Sequence, residues 1–262
     1  MSILQEIISH KWGEVERHSA KVPVDTLKDR NSPIRDFANA LVGDEISIIA
    51  EIKRKSPSQG SINPSMDIVE IAESYEKAGA KALSVLTDEK YFGGSLDFLR
   101  EIREAVDIPV LRKDFIISEY QVWESYNAGA DAILLILDGL ELETAENLYA
   151  LASELGIHVL VETHSAESLE CIHALNPEII GINARNLDTM EIEFQRMLNL
   201  YEDLPGNAIA VAESGITEPE HLHRVAKTGY DAALIGTAFM KTDDPGKTLR
   251  TYLEQSRQET AP

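Results

Sequence analysis

One cysteine, Cys171, stands in 262 residues. A lone thiol excludes an internal disulfide framework and any zinc site built from several cysteines. Cations are scarce too: 24 Lys+Arg face 45 Asp+Glu, a formal charge of −21. A nucleic-acid backbone must be met by clustered cations, so this acidic chain is a poor partner for it, and for an anionic membrane surface on the same ground. Long apolar runs are missing. Runs such as Ala132 to Leu137 fall far short of the ~20 residues a membrane-crossing helix needs. The opening MSILQEIISHKWGEVERHSA has neither the short apolar core nor the small-residue cleavage site of a signal peptide. The expectation is a cytoplasmic protein in a reducing compartment, with no nucleic-acid or membrane partner. The seven histidines show no HExxH and no paired metal spacing, so no catalytic metal is expected. There is no G-x-G-x-x-G and no P-loop.

What the chain does contain is ordinary globular material, 44% apolar and 26% charged. Short β-branched runs recur from residue 46 onward, each followed by a longer helical pattern. The strands predicted are Ile46–Ile52, Ala82–Leu86, Pro109–Arg112, Ala132–Leu137, His158–Val161, Ile179–Asn183, Ala208–Ala212 and Ala232–Ile235. Most are continuous rather than alternating, as in parallel strands buried on both faces. Ser118, Ser165 and Asp244-Pro245 sit where helix N-caps belong, and Thr217-Glu218-Pro219-Glu220 reads as a capping box. Gly79, Gly129, Gly156 and Gly229 each lie between a helical pattern and a strand.

Three of these junctions read almost alike: KAGAKALSVL from Lys77, NAGADAILLI from Asn127 and KTGYDAALIG from Lys227. Their spacing implies two strand–helix units per repeat, four times over. That predicts a (β/α)8 TIM barrel in preference to an open doubly wound sheet. Barrels of this kind commonly reach ~250 residues as one domain, and no Pro-, Gly- or Ser-rich linker interrupts the chain. Residues 1–262 are therefore read as a single domain. Residues 1–45 form an N-terminal helical extension with two helical patterns. The first carries Ile3, Leu4, Ile7, Ile8, Trp12 and Val15 at amphipathic spacing, and the second starts at Ser32-Pro33. They could plug the bottom of the barrel or lie over its top.

In such barrels chemistry sits at the C-terminal ends of the strands. The first run ends with Glu51 and Lys53, two apart and so on one face. The third ends with Lys113, the fifth with Glu162, the sixth with Asn183 and Arg185, and the seventh with Glu213 and Ser214. One charge at a strand end is commonly a rim residue or an ion pair. Five strands ending this way point to one polar mouth, where lysine beside glutamate tunes proton affinity for acid–base work. Ser214-Gly215 and Gly236-Thr237 follow strands seven and eight, the usual place of a phosphate site in these barrels. His164 reads as a helix-start residue and Cys171 as a small packing residue.

The segments IIAEIKRKSPSQG, KYFGGS, VLRKDFI, LVETH, GINARNL and AESGI resemble the indole-3-glycerol phosphate synthase family, and the likeness runs across nearly the whole chain. The departures are small: Ala184, Asn186 and Thr237-Ala238 stand where relatives often carry other polar residues. The resemblance implies a barrel with an N-terminal helical extension and a reaction without cofactor or metal. That reaction converts 1-(2-carboxyphenylamino)-1-deoxyribulose 5-phosphate to indole-3-glycerol phosphate, carbon dioxide and water. It implies Lys113 as general acid for ring closure and Lys53 as holder of the carboxylate. Glu162 would partner the anilino nitrogen, and Glu51 would orient Lys53 or act as a base. The division of labour among Lys53, Glu51 and Glu162 stays open at this point. Phe92 and Phe115 would sandwich the substrate ring, with Leu134 and Leu187 lining the pocket. Arg185, Ser56, Gly215 and Gly236 would hold the phosphate, and the loop from Arg54 to Met66, with Gly60 as a hinge, is long enough for a lid. Phosphoribosylanthranilate isomerase is the alternative on the same fold, but it needs a cysteine near the end of the first strand. A further alternative is a non-catalytic barrel that only binds a phosphorylated ligand. A monomer is expected, with a dimer as the alternative.

Overall fold

Eight continuous apolar runs become eight parallel strands: β1 Ser47–Ile52, β2 Ala82–Leu86, β3 Val110–Lys113, β4 Ala132–Ile136, β5 His158–Thr163, β6 Ile179–Asn183, β7 Ile209–Glu213 and β8 Ala232–Ile235. In this computed structural model, which describes residues 2–56, 60–62, 66–165, 167–187 and 189–258, each strand pairs with its sequence neighbours and β8 closes on β1. The result is the TIM barrel that the spacing predicts.

Helices alternate with the strands. They are α3 Ile68–Ala78, α4 Glu89–Phe92, α5 Leu96–Ala105, α6 Glu119–Ala128, α7 Leu142–Glu154, α8 Leu169–Leu175, α9 Phe194–Leu200, α10 Pro219–Thr228, α11 Thr237–Met240 and α12 Pro245–Gln258. Two more, α1 Ile3–Lys21 and α2 Phe37–Leu41, precede the barrel.

Period-two alternation in the strands divides the buried residues into two cores. Ile48, Ala50, Leu83, Val85, Ile133, Leu135 and their counterparts face outward and pack beneath the helices. Ile49, Ala82, Leu111, Ala132, Leu160, Val211 and Ala232 face inward and fill the barrel. This second core also contains Phe37, Ala38 and Leu41 of α2, so the short helix is a floor for the barrel. Phe37 and Leu41 are fully buried there. Phe37→Ala is expected to cost ~3–5 kcal/mol, as large core truncations do, read as a lower urea midpoint at unchanged slope.

The extension thus takes both positions left open by its pattern. α2 closes the base, while α1 runs over the loops after β2, β3 and β4, where Leu4 and Ile8 pack on Gly139 and Glu6 accepts from the Tyr91 hydroxyl at 3.0 Å. The buried face of α1 differs from its apolar periodicity. Trp12 is half exposed, whereas Lys11 is fully buried beside Leu4 and Ile7. At the base, Asp131 accepts from Arg30 at 3.1 Å, from the Arg35 amide at 2.9 Å and from Arg103 at 3.2 Å, tying the extension to the barrel.

Two of the three repeated junctions share a physical tie. Asp131 accepts from the Val110 amide at 2.9 Å, and Asp231 accepts from the Ala210 amide at 2.8 Å, each tying its junction to the preceding strand. Some boundaries move. β3 is Val110–Lys113 rather than Pro109–Arg112, and β7 is Ile209–Glu213 rather than Ala208–Ala212. β5 continues through Thr163, and β1 and β4 each lose one residue, Ile46 and Leu137. α2 begins at Phe37 behind the N-cap Asp36, not at Ser32-Pro33. α8 begins behind Ser168, three residues later than Ser165, whose hydroxyl accepts from the Ser168 amide at 3.1 Å in the turn before the helix and donates to Asp138 at 2.7 Å. Glu218 is the N-cap of α10 and makes no side-chain cap bond, so no capping box forms; Thr217 lies one residue too early. Ser118 is the N-cap of α6 without a hydroxyl cap bond, and Asp244 accepts from the Lys247 amide at 2.9 Å.

Candidate active site

The inward face of each odd strand carries an apolar residue below and a charged one above. Ile49 is followed by Glu51 and then Lys53, Leu111 by Lys113, Leu160 by Glu162, and Val211 by Glu213. The same alternation on β6 sets Asn183 above Gly181. Register brings these ends together, because Glu162 is paired with Gly181 and Asn183 with Glu213 on neighbouring strands. All five charged residues and Asn183 line one cleft.

Lys113 is the centre of this set. Its ammonium lies 2.7 Å from Glu162 Oε2 and 2.5 Å from Glu213 Oε2. Asn183 Nδ2 donates to Glu162 Oε1 at 2.9 Å, and Asn183 Oδ1 accepts from the Arg185 amide at 2.9 Å. Lys53 forms a separate pair with Glu51 at 2.5 Å. Burial works against the Lys113 ammonium, but Glu162, Glu213 and Glu51 outweigh it and raise its pKa. Burial also works against the Glu162 carboxylate, yet Lys113 and the Asn183 amide hold it below the usual carboxylate range. Glu213 goes the other way. Burial and the nearby Glu162 charge push it up to about 8 despite Lys113. Two carboxylates around one ammonium divide into an ionised one and a proton holder.

A stability consequence follows with a definite sign. Glu213 binds its proton more tightly folded than unfolded, so its contribution to stability is lost as pH rises from its ordinary value of 4.5 to about 8. Glu213→Gln removes that titration. Its melting temperature is expected to fall between pH ~5 and ~8 by at least ~5 °C less than that of the parent chain. Scanning calorimetry at the two pH values checks it.

The crowding around these carboxylates is met by glycine. A Cβ at Gly181 would overlap Glu213 Oε1, and one at Gly236 would overlap Glu51 Oε1. Glu213 Oε1 is itself buried without a hydrogen-bond partner among the described residues.

Two further walls complete the cleft. On one side Phe92, from α4, and Phe115, after β3, lie with ring centroids 6.2 Å apart and planes tilted by 35°. A ring inserted between them would need ~7 Å, two contact distances, so the pair forms one apolar wall rather than a slot. Leu134 and Leu187 also line the cleft. On the other side lie Ser214, Gly215, Gly236 and Thr237. Ser214 has φ +64° and Gly215 φ +74°, two consecutive left-handed residues; for serine this is strained backbone at the mouth. Arg185, also in the lining, donates to the Met190 carbonyl at 3.0 Å.

The assignment of Ser56 to the phosphate rests on a side chain outside the described residues, and so does part of the 54–66 lid, at residues 57–59 and 63–65. Met190, Ile192 and Ile216 line the cleft without having been singled out in the sequence, where they carry no polar signal. His164 does not start α8; it is buried, with Nδ1 3.1 Å from Asp138, whose hydrogen bond raises its pKa. Cys171 lies in α8, partly buried against the outer core.

Among solved structures, the fold is similar to 3-hexulose-6-phosphate synthase from Salmonella typhimurium, with a TM-score of 0.66 at 12% identity, covering 81% of this chain and 99% of that one. It is also similar to thiamine phosphate pyrophosphorylase from Pyrococcus furiosus, with a TM-score of 0.62 at 15% identity, covering 86% and 100%. These likenesses concern the fold alone. Sequence relatives are far nearer. An indole-3-glycerol phosphate synthase from Bacteroides thetaiotaomicron is 44% identical over 255 residues, covering 96% of this chain and 98% of the relative. One from Neisseria meningitidis is 44% identical over 249 residues, covering 92% and 95%. With residues 4–252 also matching the family model for this enzyme, the chain belongs to the indole-3-glycerol phosphate synthase family.

Proposed function

We propose that this chain closes the indole ring of 1-(2-carboxyphenylamino)-1-deoxyribulose 5-phosphate, releasing carbon dioxide and water and leaving indole-3-glycerol phosphate. The observation that carries this reading is the Lys113 ammonium, bonded to Glu162 and Glu213 inside a cleft with an aromatic wall on one side and the loops after β7 and β8 on the other.

The aryl group lies against Phe92 and Phe115, with Leu134 and Leu187 beneath it. The phosphate sits at Ser214-Gly215 and Gly236-Thr237, with Arg185 nearby. Lys53 meets the benzoate carboxylate, and Glu51 orients Lys53. The ring carbon bearing that carboxylate attacks the ribulose carbonyl carbon, and Lys113 gives a proton to the carbonyl oxygen as the C–C bond forms. Loss of carbon dioxide returns the C–CO₂ electron pair to the ring and restores its aromaticity. Glu162, accepting from the anilino N–H, then takes a proton from the adjacent methylene carbon while Lys53 protonates the departing hydroxyl, so that water leaves as the C–C double bond of the five-membered ring forms and the nitrogen keeps its hydrogen. Much of the acceleration comes from holding the bent substrate in attack geometry, which can supply ~7–11 kcal/mol. No step in this scheme calls on a metal or cofactor.

Every residue invoked comes from one chain, which supports action as a monomer. We take residues 1–262 as one barrel domain with 1–45 as its extension, acting in the cytoplasm. Among the described residues no helix is long and apolar enough to cross a membrane. The test is direct: adding the substrate to the purified chain should produce indole fluorescence and carbon dioxide in equal amounts. Fluorescence without carbon dioxide, or neither, would overturn the assignment.

A further inference from the structure

Among the described residues outside the cleft, the cation with the least exposed side chain is Lys11, on the face of α1 where periodicity alone would have placed Trp12. Its side chain is 1% exposed, and its ammonium lies 2.9 Å from Asp88 Oδ2, 2.8 Å from Asp114 Oδ1 and 3.2 Å from Glu14 Oε2. Asp88 follows β2 and Asp114 follows β3, so a single charge on the extension joins two loops of the barrel mouth.

Each aspartate holds an aromatic residue of the cleft by its backbone. Asp88 Oδ1 accepts from the amides of Tyr91 at 2.6 Å and Phe92 at 3.3 Å, capping the turn of α4. Asp114 Oδ1 accepts from the Phe115 amide at 2.8 Å, and its other oxygen accepts from Thr87 at 2.6 Å and Arg112 at 3.1 Å. Lys113, the centre of the acid–base set, immediately precedes Asp114. Without the ammonium, two buried carboxylates on adjacent loops would repel each other, and the loops that carry the Phe92–Phe115 wall would separate. Nothing else on α1 reaches both loops with a charge of this sign.

We infer that Lys11 is a positioning residue for the reaction, clamping the loops after β2 and β3 so that Phe92 and Phe115 form one wall beside Lys113. This rests on the proposed synthase reading for its substrate, but part of its test does not require turnover. A purely structural role would lower stability and affect all ligands alike. A clamp on the aromatic wall affects the aryl end and spares the phosphate end, which belongs to β7 and β8 across the cleft.

The experiment compares Lys11→Met with Arg30→Met, which breaks the other ionic tie of the extension, at Asp131 on the barrel base. Lys11→Met is expected to lower kcat/KM at least ~10-fold, as small misplacements of positioned groups do. It should weaken binding of 2-aminobenzoate by roughly tenfold, the scale of a lost aromatic contact, and leave binding of inorganic phosphate unchanged. Arg30→Met should melt earlier yet keep the parent's kinetics and both affinities. If Lys11→Met keeps kinetics and aryl binding within about twofold of the parent, or weakens phosphate binding as much as aryl binding, the clamp is wrong. It is equally wrong if Arg30→Met reproduces the loss. If Lys11→Met does not fold, Asp88→Asn decides, since asparagine still caps α4 but loses the ion pair: the same split supports the clamp and parental values overturn it. A parent chain without turnover would sink the synthase reading, while the two binding measurements would still decide the role of Lys11.

Discussion

Lys113→Ala is expected to lower kcat by a factor of ~10³ or more while leaving a folded barrel. Removal of a general acid costs ~10²–10⁴, and this variant also removes the cation that holds Glu162 ionised. The strand itself is not threatened, because Lys113 is the last residue of β3 and the packed inward residue below it is Leu111. The cost falls on Glu162 and Glu213, which keep their burial and lose their shared partner. Breaking a buried pair in this way typically costs ~3–5 kcal/mol. Glu162, ionised in the parent, then takes up a proton beside the Glu213 that already holds one, so the penalty should shrink on acidification: the variant regains stability relative to the parent between pH ~8 and ~5. Single-turnover fluorescence for the chemistry and urea unfolding at two pH values check both parts. Near-parental turnover in the variant would remove Lys113 from the mechanism.

Gly236→Ala is expected to lower kcat/KM by ~100-fold, the scale of a displacement of about 1 Å in a positioned site. The cause is contact. An added methyl would overlap Glu51 Oε1 and sit 2.9 Å from the Glu51 Cβ and 3.1 Å from its Cδ. The carboxylate can rotate away, but the Cβ is fixed to β1, whose Ala50 is paired with Ile235 of β8. The end of β8 must therefore move, and with it the loop assigned to the phosphate. The rotated carboxylate also leaves Lys53, now 2.5 Å away. Overpacking of this kind costs ~1–3 kcal/mol, so a melting temperature several degrees lower should accompany the kinetic loss. Gly206→Ala is the control, since nothing lies within 4 Å of its added methyl. Parental kinetics in Gly236→Ala would show that the site accommodates the methyl.

The barrel is legible from the chain because parallel strands buried on both faces have to be apolar throughout, and the helices between them end in recognisable glycines. Strand ends are less legible at the mouth. Reading a strand as finished near where polarity begins stops β5 at Val161 and β3 at Arg112, one residue short of Lys113. The backbone ladder instead continues through Glu162, Thr163 and Lys113, because the cleft, unlike the layers beneath it, accepts charge on the inward face. The polar set was accessible for the same reason: Glu51, Lys53, Lys113, Glu162 and Glu213 stand out as charges interrupting apolar runs.

The extension was not legible in detail. A periodicity argument counts Trp12 as buried and Lys11 as solvated, since the two aspartates that neutralise Lys11 lie more than seventy residues away in the chain. The place of Phe37 was hidden too, because nothing local to a five-residue helix tells that the lower end of a barrel core waits for its side chains. Gly181 and Gly236 carried no message until their neighbours Glu213 and Glu51 were in place.

Packed through its interior and closed at its lower end by Phe37 and Leu41, the barrel makes the cleft a blind well. Solvent and solutes have no passage through it, so on the proposed reaction gas, water and the indole phosphate must all depart by the doorway that admits the substrate. Traffic at that doorway is sequential: the gas slips past a molecule still anchored by its phosphate, and a fresh substrate waits for the bulky product to clear.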